Sequence, residues 1–382
     1  MKKRFLTKIA LAAVLLCGCT SQKTSSSSKT DSNSVYQNMN INSDIFDTTY
    51  AYQEAPETDE SADHYNKSLD ELTEYNNLFD IYNDYEGINN LKTINDNAGK
   101  QPVKVDQKII DMLKEAKKFY ELSGGEFDIT MGALLNVWHN YREAGIKINE
   151  QQANNNETVG APVPTKEELE AAAPHKGWDK IQIDEANSTV YITDPDVSID
   201  VGGSAKGYAA EQVAKDMEAM GISGGYVNVG RNIRLLGGKI DGKTWKIGVA
   251  DPEGSGKSVV VIDVDNSYSI VTSGDYERYY VGEDGKNYPH IVDPSTLYPA
   301  DKYHSVTIVT PDSGAADCLS TTLFTLSIEE GKKVLETYTK ETGNKADAIW
   351  VMDPGKVEDK NLHTSGDFEV TYTDGLEGKL TW

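Results

Sequence analysis

The stretch that decides the fold is VSIDVGGSAKGYAAEQV, residues 197–213. An apolar run ends at Asp200, two glycines follow, and Lys206 lies in the first turn of a predicted helix. Glycines at a strand-to-helix turn let a phosphate reach main-chain N–H groups at the positive end of the helix dipole. The carboxylate of Asp200 would repel such a phosphate, so a phosphate site alone does not account for it. A glycine turn with a capping acid is the alternative, and this stretch does not separate the two.

The amino-terminal residues resemble the export signal of a bacterial lipoprotein. A basic segment, MKKRF, precedes an apolar run, LTKIALAAVLLCG, that is too short to span a bilayer as a stable anchor. The run ends in a Leu-x-Gly-Cys pattern, in which cleavage before Cys19 leaves a cysteine that carries lipid. An ordinary signal peptide cut nearby is the alternative.

From these features we predict three parts of the chain. Residues 1–18 are a signal peptide, residues 19–40 are a Ser-rich flexible tether, and residues 41–382 are the folded domain. The protein is expected outside the cytoplasm, held to the cell membrane by the lipid on Cys19.

The charge and cysteine content exclude several classes of function. Removing residues 1–18 takes away four basic residues and no acid, so the net charge moves from −24 to −28. Such a surface argues against binding to nucleic acid and against adhesion to anionic lipid headgroups. A polyphosphate substrate would need help from cations. After cleavage, Cys318 is the cysteine left besides Cys19, which excludes a Cys-based zinc site.

Beyond the tether, the sequence predicts an α+β fold. Apolar residues at helical spacing mark helices within residues 61–83 and 106–125. Residues from about 143 to 175 are rich in Asn, Gln and Pro, and they predict a surface insertion that leads into a short helix capped by Thr165 and Glu168. Strand-like runs, including VSID at residues 197–200, then dominate, and two helices and a strand follow. The mixture favours mixed or antiparallel sheets flanked by helices over a regular βαβ series.

Four further stretches contain polar residues next to turns or helix starts. They are GGEFDITMGALLNVW at 124–138, GGYVNVGRNIRLLGG at 224–238, the long segment from TSGDYERYY to HIVDPSTLYP at 272–299, and AADCLSTTLFTLS at 315–327. In the last, Asp317 and Thr321 lie on one face of one helical turn. Each stretch also has a structural interpretation. Asp317, for example, could cap a helix while Thr321 bonds back to a carbonyl.

Taken together and in this order, these motifs resemble the ApbE-type FAD:protein FMN transferases, from about Phe46 to the end of ADAIWVMD. The resemblance implies the ApbE-like α+β fold in two intimate lobes. It also implies Mg²⁺-dependent cleavage of FAD, transfer of FMN to a Ser or Thr hydroxyl, and release of AMP. The acceptor would be an exported or membrane flavoprotein with a Ser/Thr-Gly-Ala-Ser/Thr stretch.

The resemblance also implies roles for single residues. The Mg²⁺ ligands are the carbonyl of Gly203, Asp317 and Thr321, and the general base is His290. The metal would neutralise the diphosphate, and Asp200 would bind a donor group of FAD and not its phosphates. The FAD contacts that the family pattern implies are Phe46, Tyr82, Glu126, Phe127, Asp128, Asp200, Lys206 and Ile291.

Two positions depart from the family pattern, and two other functions compete with the transferase. Arg231 stands where the family usually has a second glycine, and Leu297 where it often has one. An FAD pyrophosphatase would use the same site with water in place of the acceptor hydroxyl. A ligand-binding lipoprotein of a transporter would need no Asp317/Thr321 metal site.

Overall fold

The computed structural model describes residues 34–382, and for residues 42–44 it describes the main chain only. The predicted signal peptide and Cys19 lie outside the described residues. Among residues 34–382, no helix is both long and apolar enough to cross a lipid bilayer.

The described part of the chain contains eight α-helices. In chain order they are α1 (Ser61–Phe79), α2 (Leu91–Asp96), α3 (Gln107–Leu122), α4 (Gly132–Asn154), α5 (Lys166–Ala172), α6 (Ala205–Ala219), α7 (Ser313–Thr325) and α8 (Ile328–Thr342). The predicted cap of α5 is confirmed: Thr165 Oγ1 accepts from the Glu168 N–H at 3.2 Å, and Glu168 Oε2 accepts from the Thr165 N–H at 2.8 Å.

Seventeen strands are described in the same part of the chain. They are β1 (Tyr36–Ile45), β2 (Thr48–Glu54), β3 (Val103–Lys104), β4 (Ile181–Asp184), β5 (Thr189–Ile192), β6 (Gly225–Val229), β7 (Asn232–Leu235), β8 (Trp245–Ala250), β9 (Ser258–Val264), β10 (Ser269–Gly274), β11 (Tyr279–Val281), β12 (Asn287–Pro289), β13 (Ser305–Thr310), β14 (Asp347–Met352), β15 (His363–Ser365), β16 (Phe368–Tyr372) and β17 (Leu380–Thr381).

The central feature is a nine-stranded sheet in the order β1-β2-β6-β7-β10-β13-β14-β16-β15. Every neighbouring pair in it is antiparallel. Smaller sheets are formed by β17-β9-β8, β3-β5-β4 and β11-β12. The α+β prediction with antiparallel sheets is confirmed.

Both faces of the nine-stranded sheet are covered, as β14 shows. Ala348, Trp350 and Met352 join the core formed with the helices, whereas Ile349 and Val351 join the core formed with β8 and β9. A strand that is buried on both faces has apolar residues at consecutive positions, as in the sequence AIWVM of β14. The helix-side core is the one that brings α6 and α7 together.

The first strand begins inside the predicted tether. Residues 36–40 pair with β2, so the boundary predicted at residue 40 is too late. The ring of Tyr36 packs against Tyr52 and Tyr65, with centroids 6.4 and 6.5 Å away. The Ser/Asn-rich composition of this region does not predict a strand. The strand is stabilised by the packing of Tyr36 on aromatic neighbours.

The helical pattern predicted to break near residue 143 continues to Asn154, so that prediction is wrong. The reason is tertiary contact. Asn149 exchanges two hydrogen bonds with the main chain of Val281, at 3.1 and 2.6 Å. A Cβ on Gly145 would lie 2.4 Å from the Tyr280 ring, so glycine allows α4 to approach β11. Packing therefore overrides a composition that favours a loop.

VSID does not form a strand in the sheets, which corrects a second prediction. Residues 197–200 are extended but make a single bridge, between Ser198 and Met131. The Asp200 N–H donates to the Ile129 carbonyl at 2.8 Å, and the Gly132 N–H donates to the Ser198 carbonyl at 3.0 Å. The segment therefore lies along the GEFDIT turn, and this contact brings two of the quoted motifs side by side.

Candidate active site

The turn between residues 200 and 207 is the centre of the site. The half-buried Asp200 accepts from the Gly202 N–H at 2.8 Å, and Lys206 Nζ donates to the Gly202 carbonyl at 3.4 Å. Burial raises the pKa of Asp200, while its hydrogen bond and the nearby charges of His139, Arg142 and Lys206 act in the opposite direction. Asp200 and Lys206 thus lie on one turn, each bonded to Gly202.

The start of α6 is held against α7 by Asp317. Its Oδ2 accepts from the Gly207 N–H at 2.8 Å, and its side chain is 3% exposed. A Cβ on Gly207 would lie 2.4 Å from the Cβ of Asp317, so a glycine is needed for this close approach. The bond occupies Oδ2 and makes Oδ1 the candidate atom for a ligand.

Three more of the predicted residues meet beside Asp317. A Cβ built on Gly203 would lie 3.1 Å from Thr321 Oγ1 and 3.3 Å from the Phe127 ring. The set formed by the Gly203 carbonyl, the Asp317 carboxylate and the Thr321 hydroxyl contains only hard oxygen donors, which suit Mg²⁺ or Ca²⁺. The residues present therefore fit a divalent cation.

The structural roles suggested for Asp317 and Thr321 within α7 are not seen. Asp312, and not Asp317, caps α7, because its side chain accepts from the Ala315 N–H at 2.9 Å. Within residues 34–382, Thr322 bonds back to the Cys318 carbonyl, and Thr321 makes no such bond. Neither Asp317 nor Thr321 is therefore explained by capping or by back-bonding within α7.

A second part of the site surrounds His290. The Nδ1 atom of His290 is buried and has no hydrogen-bond partner within residues 34–382. Burial, followed by the charges of Arg142, Lys206 and Arg278, lowers the pKa of His290 to about 3, so the ring is neutral near pH 7. Lys206 belongs to both parts of the site and so connects His290 with the 200–207 turn.

Tyr82 lies at the opening of this region. Its side chain is 52% exposed, and its ring stacks on His139 with centroids 4.8 Å apart. Burial of the hydroxyl and the charge of Asp200 raise the pKa of Tyr82 to about 12. The charge of Asp200 therefore reaches Tyr82, which the family pattern implies as a FAD contact.

Phe46 is in the turn between β1 and β2. Its main-chain N–H donates to Asn76 Oδ1 at 2.8 Å, and its ring packs on the helix-side core. The next residue, Asp47, lies 3.7 Å from Arg278. The β1–β2 turn therefore reaches the rim of the site through Arg278.

The structure gives less direct evidence for the remaining predicted FAD contacts, which are Asp128, Glu126 and Ile291. Asp128 accepts from both the N–H and the hydroxyl of Thr130, at 2.9 and 2.6 Å, so its visible role is to shape the turn. The pKa of Glu126 is raised by burial and then by Asp293, which places it on the Asp293 side and not beside Asp200. The Ile291 side chain is buried in the core and its carbonyl accepts from the Ala300 N–H at 2.9 Å, which leaves its main-chain N–H for a ligand.

Sequence reasoning missed three residues of the site: His139, Arg142 and Arg278. Arg278 is inside the quoted TSGDYERY motif, so that motif could have indicated it. His139 and Arg142 lie on α4 beyond the shared motifs, and nothing in the sequence besides their place on that helix pointed to them.

Comparison with known proteins identifies the family of the chain. A model of the ApbE family matches residues 45–345. The chain belongs to the ApbE family. The FAD:protein FMN transferase of Vibrio cholerae serotype O1 is 32% identical over 269 residues, which are 69% of this chain and 75% of that protein. The protein of the same name from Haemophilus influenzae is 33% identical over 240 residues, 62% of this chain and 65% of that protein.

Solved structures of the ApbE family share the fold. The ApbE protein of Thermotoga maritima has a TM-score of 0.69 at 30% identity, covering 83% of this chain and 94% of that chain. The flavin transferase ApbE from Vibrio cholerae has a TM-score of 0.67 at 24% identity, covering 91% of this chain and 99% of that chain. The predicted ApbE-like fold and transferase class are confirmed.

Both departures from the ApbE pattern have left-handed backbone. Arg231 has φ +75° and Leu297 has φ +67°, a region that glycine adopts without strain. Arg231 is engaged by its neighbours: Nε lies 2.9 Å from Glu277 Oε1, and Nη1 donates to the Tyr276 hydroxyl at 3.2 Å. Arg231 therefore ties the β6–β7 turn to the TSGDYERY loop.

Proposed function

We propose that this protein is a Mg²⁺-dependent FAD:protein FMN transferase. It cleaves FAD, transfers FMN to a Ser or Thr hydroxyl of an exported or membrane flavoprotein, and releases AMP. The observation that carries the proposal is the meeting of Gly203, Asp317 and Thr321 at the start of α6, beside the turn that holds Asp200 and Lys206. The names of the relatives support the transfer of FMN from FAD to a protein.

The reaction follows from the residues in the site. The acceptor oxygen forms a bond to the phosphorus of the FMN half, and the bond between that phosphorus and the bridging oxygen breaks. AMP leaves with the bridging oxygen, and the acceptor proton passes to His290. Burial and the nearby cations lower the pKa of His290 to about 3, so the ring is unprotonated before FAD binds, and the negative charge of bound FAD would have to raise its basicity for it to accept that proton.

The metal site is assigned to three residues. The Gly203 carbonyl, the Asp317 carboxylate and the Thr321 hydroxyl would hold Mg²⁺, and the bound ion would neutralise charge on the diphosphate. Asp317 is oriented for this role by its hydrogen bond to the Gly207 N–H. Lys206 adds positive charge on the same turn. Asp200 is assigned to a donor group of FAD, which removes the conflict between its carboxylate and the phosphates.

We also propose that the protein works outside the cytoplasm, anchored by lipid on Cys19. The Leu-x-Gly-Cys pattern after a short apolar run supports this assignment. An acceptor carried by the same membrane would then be within reach of the domain.

The deciding experiment is mass spectrometry of an acceptor protein that carries a Ser/Thr-Gly-Ala-Ser/Thr stretch. After incubation with this protein, FAD and Mg²⁺, we expect a mass increase equal to an FMN phosphodiester, together with released AMP. An acceptor with Ala in place of the modified hydroxyl residue is the control and should stay unmodified. Free FMN and AMP, with no change in the acceptor, would instead identify an FAD pyrophosphatase.

A further inference from the structure

Arg142 differs from the other arginines of the described chain. Residues 34–382 contain four arginines, and three lie near a carboxylate: Arg231 near Glu277 at 2.9 Å, Arg234 near Glu211 at 3.0 Å and Arg278 near Asp47 at 3.7 Å. Within the same part of the chain, Arg142 forms no ion pair, although the protein has 61 acidic residues and 37 basic ones. The charges of Glu143 and Asp200 act on the half-buried guanidinium, but no carboxylate of the described chain pairs with it directly, so a ligand could supply the close anion.

The position of Arg142 points to where that anion would bind. Its charge acts on Tyr82, on Asp200 and on His290, so the guanidinium lies within electrostatic range of all three. On His290 its effect is larger than those of Lys206 and Arg278. Three cations around one neutral histidine repel one another, and an anion of at least two charges would relieve that repulsion.

His139 fixes the orientation of Arg142. Arg142 Nη2 lies 3.1 Å from His139 Nδ1, and the Tyr82 hydroxyl lies 3.3 Å from the same atom. An arginine only donates, so Nδ1 must be the unprotonated nitrogen. Burial and the charge of Arg142 lower the pKa of His139, which keeps the ring in that state. The guanidinium is therefore already held in one orientation before a ligand binds.

We infer that Arg142 binds the phosphate on the FMN side of FAD, with His139 as its positioning residue. The inference rests on the proposed function, in which His290 lies beside the phosphorus that is attacked. A guanidinium can donate two parallel N–H bonds to phosphate oxygens. Such bonds also stabilise the charge that spreads over those oxygens during phosphoryl transfer.

The test compares two ligands that differ in charge. FAD carries the diphosphate and riboflavin carries none, so binding of each is measured by flavin fluorescence in EDTA, where no transfer occurs. Arg142→Gln removes the charge, and Arg142→Lys retains it without the planar fork. Lys147→Gln is the matched control, because Lys147 is an exposed cation on the same helix.

We expect Arg142→Gln to weaken FAD binding by roughly 10- to 100-fold, the range of a lost charge-assisted hydrogen bond, and to leave riboflavin binding unchanged. Arg142→Lys should recover part of the FAD affinity, and Lys147→Gln should bind both flavins like wild type. Equal losses for FAD and riboflavin, or no loss for FAD, would overturn the inference. Because the assay needs no acceptor, a protein that binds FAD in this way but never flavinylates would refute the proposed function and leave the inference standing.

Discussion

His290 is the residue whose ionisation has the clearest consequences. Burial and the charges of Arg142 and Lys206 keep it neutral, and its Nδ1 atom has no partner within residues 34–382. A neutral, poorly solvated imidazole accepts a proton only when a bound anion favours its charged form, and it makes the folded state sensitive to acid. Activity and stability can therefore be tested on the same side chain.

Replacing His290 by Asn should abolish proton transfer and leave the pocket in place. We expect FMN transfer to fall by about two to four orders of magnitude, the range for a lost general base, with FAD still bound. Rates of acceptor labelling and FAD titrations check the two parts. A parallel loss of FAD affinity would assign His290 to binding instead.

Acid should destabilise the wild-type protein through the same residue. The pKa of His290 is about 3 when folded and near 6.5 when unfolded, so between these values the unfolded chain binds the extra proton. The free energy of unfolding should therefore decrease as pH falls from about 6.5 towards 4. Urea midpoints over this range should fall less steeply for His290→Asn, and identical slopes would contradict the buried neutral state.

At the scale of secondary-structure elements, the contact between α6 and α7 carries the metal assignment. Asp317 is inside α7 and reaches across to the Gly207 N–H, whereas Asp312 caps the same helix. The two aspartates thus have separable roles in one element. Asparagine can replace an aspartate as a cap or as a hydrogen-bond acceptor, but it cannot replace the charge.

Asp317→Asn should keep the fold and lose most of the activity. We expect FMN transfer to fall sharply at low Mg²⁺ and to recover partly at high Mg²⁺, because the amide binds the ion more weakly. Asp312→Asn is the matched control and should transfer normally, since Asn caps about as well as Asp. The measurement is acceptor labelling across a Mg²⁺ titration. Full activity of Asp317→Asn at low Mg²⁺ would end the metal assignment.

The β6–β7 turn allows backbone strain to be measured separately from side-chain contacts. Arg231→Gly and Arg231→Ala both remove the bonds to Glu277 and Tyr276, but only glycine adopts φ +75° freely. The glycine variant should be the more stable by about 1 kcal/mol. Denaturant unfolding of the pair gives the difference, and an alanine variant of equal stability would show that the turn relaxes.

The sequence predicts those elements whose periodicity agrees with their final packing. The amphipathic helices α1, α3 and α8 and the apolar strand β14 are recognisable for this reason. The continuation of α4 is not, because Gly145 and Asn149 are poor helix formers that are selected by contacts with β11.

The same limit applies to the site. Asp317 and Thr321 lie one helical turn apart, so the sequence alone predicts that their side chains are neighbours. A role for Arg142 becomes evident only when the fold brings it near Tyr82 and His290, which are distant in sequence.

At the scale of the whole molecule, the anchor and the domain should be separable. If Cys19 carries lipid, Cys19→Ser should convert the protein from a membrane-bound form to a soluble or unprocessed one. Transfer by the purified domain should persist, because the predicted Ser-rich tether separates Cys19 from the domain. Fractionation and mass analysis of Cys19 check this. A wild-type protein that carries no lipid and still fractionates with membranes would contradict the assignment.

The order of the central sheet also governs how this chain can fold. Strand β2 pairs with β6, Tyr50 opposite Val229, although about 180 residues separate them. Synthesis starts at the amino end and proceeds at about 5–20 residues per second, so β2 is made roughly 10–35 s before β6. During that time the β1–β2 hairpin has an open edge, and long-range pairings of this kind form slowly. The hairpin that carries Phe46 is therefore among the first parts of the sheet to be made and among the last to be completed.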